Sequence, residues 1–173
     1  FGFDEDLLAF LPPTVVGIIV AVENLKRDED RVKGTADASL VPYYMKQTGT
    51  LDNACGIIAC LHACLNKTDL ISLAPGSILH RFKTATEDMT PEDRATHLEN
   101  ATDFKTVHAA AADEGQSAMS ENQEAVKHHF IAYVVNSAGQ LVELDGTKVG
   151  PHVVAEGCTD VLRGSIAAIQ ARL

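Results

Sequence analysis

The most constraining feature of this 173-residue sequence is an apolar stretch at residues 14–22 that is rich in β-branched side chains. Its length suits one strand, and a strand that is apolar on both sides must be covered on both faces of its sheet. The longest apolar run, residues 15–22, is far shorter than the roughly 20 residues that cross a bilayer. The stretch therefore predicts a central strand in a sheet with helices on both sides.

The other segments predict a single α+β domain that covers residues 1–173. Capping residues and prolines mark helices at residues 4–11, 55–66, 77–86, from 91 onward, 101–113 and 158–173. Strands are expected at residues 40–45, 129–135 and 140–145, with a turn at 136–139 and surface loops at 23–39 and 116–127. This order predicts a mostly antiparallel sheet flanked by helices.

Composition narrows the classes of function. The chain has 14 Lys and Arg against 24 Asp and Glu, a net charge of −10. A nucleic-acid binder would carry a basic patch, so that class is disfavoured, whereas an acidic surface suits a basic partner or simply keeps the protein dissolved. A hydrophobic content of 46% excludes global disorder.

The four cysteines indicate a reducing environment. Cys55, Cys60 and Cys64 lie within one short predicted helix, where they are poor disulfide partners, and the fourth is Cys158. We therefore expect a reduced, cytoplasmic protein. The sequence has no Cys-x-x-Cys pair, and a helix interior cannot wrap around an ion, so we expect no metal.

Cys55 is the candidate nucleophile. It lies in the first turn of the predicted helix, which Asp52 or Asn53 can cap. Helix N-termini present unpaired N–H groups and the positive end of the macrodipole, which lower a thiol pKa and can stabilise an oxyanion. The residues alone favour the alternative of an ordinary core cysteine. We expect Cys60 and Cys64, one turn apart, to pack in the core.

A nucleophilic cysteine needs a histidine base that a third polar group orients. His62 lies about 10 Å further along the same helix at ~1.5 Å per residue, so we expect it to be a packing histidine. His128 and His129 begin a strand, where only one of the two can face a given site.

The hairpin supplies a possible orienting group. A three-residue loop centred on Ser137 would place His129 opposite Asp145, whereas a four-residue loop would shift the pairing by one. A surface ion pair would explain the same residues.

Several motifs together resemble the ubiquitin C-terminal hydrolases, a family of cysteine deubiquitinases. The sequences YMKQT at 44–48, NACG at 53–56 and LHA at 61–63 are similar to that family's active-site segment. HFI at 129–131 and ELDG at 143–146 resemble its two later catalytic segments, and MTPEDRA at 89–95 and EGQ at 114–116 also look like family sequence. The resemblance covers nearly the whole chain.

The resemblance implies a papain-like cysteine-protease fold and thiol-dependent hydrolysis of ester, thioester, amide or peptide bonds at the C-terminal Gly of ubiquitin. It implies Cys55 as nucleophile, His129 as general base and acid, and Asp145 as the group that orients His129. Gln47 would donate to the oxyanion beside the Cys55 N–H, and residues 116–127 match the family's crossover loop. It implies a monomer that binds ubiquitin, whose tail is basic, with no cofactor, metal, nucleic acid or membrane.

One departure concerns Gln47. The family usually has two fewer residues between this glutamine and the cysteine. Counting back from Cys55 by spacing alone would place Gly49 at the oxyanion position, and glycine has no side-chain donor. The intact Met-Lys-Gln-Thr sequence favours Gln47.

Three alternatives remain at this point. The chain could be a non-catalytic ubiquitin-binding protein on the same fold, a hydrolase of another ubiquitin-like modifier, or a general papain-like peptidase. Binding without turnover, competition between modifiers, and cleavage of short peptides would distinguish them.

Overall fold

The fold is built on a four-stranded antiparallel sheet, seen in a computed structural model that describes residues 3–23, 32–48, 54–114 and 128–172. The strands follow chain order across the sheet: β1 (Ile18–Glu23), β2 (His128–Val135), β3 (Leu141–Leu144) and β4 (His152–Ala155). All three pairings are antiparallel. The long connection between β1 and β2 contains most of the helices.

Helices cover both faces of this sheet. In the described ranges they are α1 (Glu5–Leu8), α2 (Cys55–Leu65), α3 (Ile78–Thr86), α4 (Pro91–Asn100), α5 (Thr102–Glu114) and α6 (Val161–Gln170). Ala59 of α2 packs on Ala132, and Val161 of α6 packs on Ile131. Successive strand residues point to opposite faces, so the two helices lie on opposite sides of β2. The predicted α+β class with helices on both faces is confirmed.

The strand predicted at residues 14–22 exists, but it is shorter and less buried than predicted. β1 begins at Ile18, and it is an edge strand among the described residues. Val20 packs in the layer between the sheet and α6, whereas Ile19 on the other face is 42% exposed. The strands buried on both faces are β3, along its whole length, and β2 from residue 131 to 134.

Capping side chains locate several helices. Ser77 Oγ accepts from the His80 N–H at 3.2 Å, and Thr90 Oγ1 accepts from the Asp93 N–H at 3.1 Å, so α3 and α4 begin where predicted. Helix α6 begins at Val161, later than predicted, because the Asp160 carboxylate caps it. Helix α1 ends at Leu8, three residues before the predicted end. The predicted caps at 52–53 and the loop at 116–127 lie outside the described residues.

The strand predicted at residues 40–45 is wrong. Leu40 ends a short 3-10 helix, Ala38–Leu40, and the chain is extended at Val41. Further on, the backbone bonds to side chains in and just after α2 rather than to another strand. Asn66 Oδ1 accepts from the Tyr43 N–H at 2.7 Å, and His62 Nε2 accepts from the Met45 N–H at 3.1 Å. Buried backbone groups need partners, and polar side chains meet that need as well as a strand does.

The hairpin between β2 and β3 turns one residue later than predicted. The Asn136 N–H donates to the Gln140 carbonyl at 3.0 Å, so the three-residue loop is centred on Ala138 and not on Ser137. Gly139, with φ of 74°, takes the left-handed position that closes such a loop. This glycine therefore sets the turn.

The later turn moves the strand register by two positions. Leu144 lies opposite Ala132, so the predicted direct pairing of His129 with Asp145 is wrong. A two-position shift keeps both side chains on the same face, because side-chain direction repeats every two residues. His129 and Asp145 are therefore diagonal neighbours, which can still touch.

β4 was not predicted from the sequence. β4 has only four residues, which is too short to show a clear alternation of buried and exposed side chains. The ladder that joins it to β3 is also irregular between Leu141 and Val142. Among the described helices, none is long and apolar enough to cross a membrane.

Candidate active site

Cys55 is the first residue of α2, as predicted. Ala54 occupies the N-cap position and offers no side-chain cap, while its carbonyl accepts from the Ile58 N–H at 2.8 Å. The thiol is half-buried. The N–H groups of a first helical turn have no partner within the helix, so they leave a positive field around this sulfur.

His129 and Asp145 form a buried pair. His129 Nε2 lies 2.7 Å from Asp145 Oδ1, and the two side chains are 5% and 9% exposed. Such burial excludes the surface ion pair that would also explain the sequence. Because Nε2 faces the carboxylate, Nδ1 is the nitrogen left for a reacting group.

The imidazole also reaches the thiol. A hydrogen bond with the His129 side chain is the main reason why the pKa of Cys55 lies below its usual value. The backbone N–H groups of Phe130 and Gly56 lower this pKa further, and partial burial opposes the shift. The cysteine is therefore biased toward the thiolate, the form that acts as a nucleophile.

The Asp145 carboxylate is held in its ionised form. Thr147 donates twice to Asp145 Oδ1, from its N–H at 2.9 Å and from its hydroxyl at 2.8 Å. Burial raises the pKa of Asp145, but hydrogen bonds from His129 and Thr147 and the charge of His129 outweigh burial and lower the pKa to about 2. At neutral pH the carboxylate can therefore fix the orientation of His129.

Gln47 lies beside the loop that carries Asp145. Its N–H donates to the Gly146 carbonyl at 2.9 Å. A Cβ at position 146 would lie 2.9 Å from the Gln47 nitrogen, so only glycine allows this approach. The role of the Gln47 amide as oxyanion donor stays a prediction. Gly49 and the rest of 49–53 lie outside the described residues.

The remaining histidine and cysteine candidates lie on α2 and differ in burial. His62 is fully buried, and burial lowers its pKa to about 4. It accepts from Met45, so it is a packing histidine, as predicted. Cys60 is exposed and Cys64 is half-buried, so the prediction that both pack in the core is wrong for Cys60. Desolvation still raises the pKa of both thiols, which makes them less reactive than Cys55. Within the described ranges no group of three or more His, Cys, Asp or Glu side chains is arranged for a metal ion.

Sequence reasoning missed Thr147 and Gly146. An aspartate at a turn often accepts from the backbone N–H two residues further on, which is an Asx turn. The order Asp-Gly-Thr at 145–147 could therefore have predicted that Asp145 is held by its own loop.

A thiol at a helix N-terminus, an imidazole and a buried carboxylate are thus connected in that order. The thiol supplies a nucleophile, the imidazole moves its proton, and the carboxylate orients the imidazole. This is the arrangement of a cysteine hydrolase of the papain-like class.

Comparison with known proteins identifies the family. The profile of "Ubiquitin carboxyl-terminal hydrolase, family 1" matches residues 1–173. The chain is 37% identical over 158 residues to ubiquitin carboxyl-terminal hydrolase 3 of Arabidopsis thaliana, covering 87% of this chain and 64% of that protein. It is 34% identical over 152 residues to the human isozyme L1, covering 84% and 65%. The chain belongs to ubiquitin carboxyl-terminal hydrolase family 1.

A solved structure supports the same fold. The chain resembles the catalytic domain of Trichinella spiralis UCH37, which was crystallised bound to ubiquitin vinyl methyl ester. The TM-score is 0.69 at 23% identity, covering 92% of this chain and 70% of that one. The chain spans slightly less than two thirds of the length of the Arabidopsis and human relatives.

Proposed function

We propose that this protein is a thiol-dependent hydrolase that cleaves adducts from the C-terminal Gly of ubiquitin. The observation that carries the proposal is the connected trio of Cys55, His129 and Asp145, with the thiol pKa lowered chiefly by the His129 hydrogen bond. Family membership supports ubiquitin as the substrate.

The first half of the reaction forms an acyl-enzyme. The Cys55 sulfur attacks the carbonyl carbon of the terminal glycine, and its proton resides on His129. The oxygen becomes an oxyanion that the backbone N–H of Cys55 and the side chain of Gln47 stabilise. The intermediate then collapses, His129 gives its proton to the departing amine, alcohol or thiol, and a thioester to Cys55 remains.

The second half releases the product. His129, held by Asp145, removes a proton from a water molecule that attacks the thioester carbonyl. The carbon–sulfur bond breaks, which frees the ubiquitin carboxylate and regenerates Cys55. Asp145 holds the imidazole in one orientation through both halves.

Charge supports the choice of partner. The chain carries a net charge of −10, which attracts a basic C-terminal tail and raises the association rate more than the affinity. We also propose that the protein is monomeric. We place it in the reducing environment of the cytoplasm, where Cys55 stays a thiol.

The test is hydrolysis of ubiquitin that carries a C-terminal fluorogenic amide. We expect turnover by the unmodified chain and a loss of about a thousandfold or more in Cys55→Ala. Cys64→Ala is the matched control, because Cys64 is a half-buried thiol of the same helix with a raised pKa, and it should retain near-normal turnover.

Other outcomes would replace this proposal. Hydrolysis that persists in Cys55→Ala would contradict the mechanism, and ubiquitin binding without turnover would indicate a non-catalytic binding protein. Faster cleavage of another ubiquitin-like modifier would identify that modifier as the substrate. Cleavage of a short peptide at the same rate as ubiquitin would indicate a general peptidase.

A further inference from the structure

The backbone of Asp145 has a partner of its own, far away in the sequence. The Tyr44 hydroxyl donates to the Asp145 carbonyl at 2.7 Å and lies 3.2 Å from the Lys148 carbonyl. Tyr44 is only 4% exposed, and burial together with the charges of Asp145 and Glu92 raises its pKa. The phenol therefore keeps its proton and stays a donor throughout the working pH range.

Neighbours of Tyr44 hold the same loop. Lys46 Nζ donates to the Lys148 and Val149 carbonyls at 2.5 and 2.6 Å, and the Gln47 N–H donates to Gly146. Tyr44, Lys46 and Gln47 thus each donate hydrogen bonds to loop 145–149. These hydrogen bonds join the segment that ends in the predicted oxyanion donor to the loop that carries the orienting carboxylate.

Tyr44 is itself fixed from the opposite side. Its ring stacks on His62 with centroids 5.1 Å apart and planes 6° apart, and its carbonyl accepts from Arg94 Nη1 at 2.8 Å. A side chain held on both sides can impose a position on a loop, because it loses little further freedom when it makes the hydrogen bond.

We propose that Tyr44 is a positioning residue, whose phenol places the Asp145 main chain so that the carboxylate meets His129 Nε2. This inference rests on the proposed function for its catalytic consequence. Tyr44 bonds the loop backbone, so it acts through Asp145. The carboxylate is fixed within its own turn by Thr147, and the phenol fixes that turn relative to β2.

Tyr43 offers a matched control in the adjacent position. It is 2% exposed, and its hydroxyl bonds to Thr86 Oγ1 at 2.9 Å, away from loop 145–149. Tyr43→Phe and Tyr44→Phe each remove one buried phenol hydroxyl and keep the ring. Only the second removes a contact with the loop that carries Asp145.

The experiment compares kcat and KM of the two variants with fluorogenic ubiquitin, at a temperature where melting curves show that both are folded. Tyr44→Phe should lower kcat roughly fivefold to twentyfold and leave KM within about twofold. Tyr43→Phe should change both constants less than about twofold. Equal kcat values in the two variants would overturn the inference.

A second readout does not depend on ubiquitin. The rate at which iodoacetamide alkylates Cys55 is measured against pH, with the adduct quantified by peptide mapping. A poorly oriented His129 stabilises the thiolate less, so Tyr44→Phe should move the inflection to higher pH and Tyr43→Phe should not. If the chain fails to hydrolyse ubiquitin but this shift occurs, the proposed function fails and the positioning role stands. An unshifted inflection overturns the positioning role.

Discussion

At the scale of single residues, the reactivity of Cys55 depends on one imidazole. The hydrogen bond from His129 is the largest cause of the lowered thiol pKa, ahead of the backbone N–H groups nearby. The other cysteines of α2 have raised pKa values, so the difference comes from the surroundings and not from the helix alone.

Removal of this imidazole should make Cys55 an ordinary thiol. We expect His129→Asn to move the alkylation inflection of Cys55 to higher pH and to lower the alkylation rate at pH 6.5 by about tenfold or more. The control is His128→Asn, because His128 is an exposed neighbour that lies opposite Glu23. An inflection that His129→Asn leaves in place would mean that the helix N-terminus alone activates the thiol.

At the scale of elements, segment 43–47 depends on a neutral histidine. His62 Nε2 accepts from Met45, so the folded state needs the unprotonated ring, and burial lowers the pKa of His62 to about 4 from 6.5. The unfolded chain therefore binds a proton more readily than the folded chain. Stability is complete above pH 6.5 and falls as the pH drops toward 4.

The expected loss is about 3 kcal/mol of unfolding free energy over that window. Asp145 lies near His62 but has a pKa of about 2, so it stays ionised throughout. Urea unfolding at pH 7.0 and pH 4.5 should show a much smaller pH dependence in His62→Gln, whatever its stability at neutral pH. His128→Gln, at an exposed position, is the control. If the unfolding free energy of His62→Gln depends on pH as strongly as that of the unmodified chain, other groups cause the acid sensitivity.

Local signals in the sequence predict elements well and long-range contacts poorly. Capping residues such as Ser77 and Thr90 act within one helical turn, so α3 and α4 begin as predicted. The sequence at 40–45 looks like a strand locally, but Asn66 and His62, which are distant in sequence, accept the hydrogen bonds that a neighbouring strand would take.

The candidate site shows the same division. Nearby residues predict the thiol at the start of α2. They also predict that a histidine and an aspartate meet at one end of the hairpin. The register was wrong because Gly139, and not the centre of the polar turn, determines where the chain reverses. The contact of Tyr44 with Asp145 joins parts of the chain that no local pattern connects.

At the scale of the whole molecule, a buried charge cluster connects the sheet to loop 145–149 and the end of α6. Glu143 is fully buried and accepts from Tyr133 at 2.9 Å, and it also pairs with Lys148 and Arg172. Lys148 is 2% exposed. Glu143 therefore supplies the carboxylate that pairs with the buried Lys148 ammonium.

Replacing Glu143 alone should destabilise the protein more than replacing Glu143 and Lys148 together. We expect Glu143→Gln to lower the unfolding free energy by about 3 kcal/mol, because it leaves the Lys148 charge buried without its carboxylate. The double variant Glu143→Gln with Lys148→Met should recover at least half of that loss. Urea unfolding at pH 7 measures both variants. A double variant less stable than Glu143→Gln would show that the lysine is held mainly by other groups.

The proposed mechanism makes Cys55 the nucleophile that attacks the C-terminus of ubiquitin. The most direct measurement is incubation of the chain with ubiquitin that carries a C-terminal electrophile, followed by peptide mapping of the adduct. We predict one adduct, on Cys55, with none on Cys60, Cys64 or Cys158. An adduct on another cysteine, or bound ubiquitin with Cys55 unmodified, would contradict the claim.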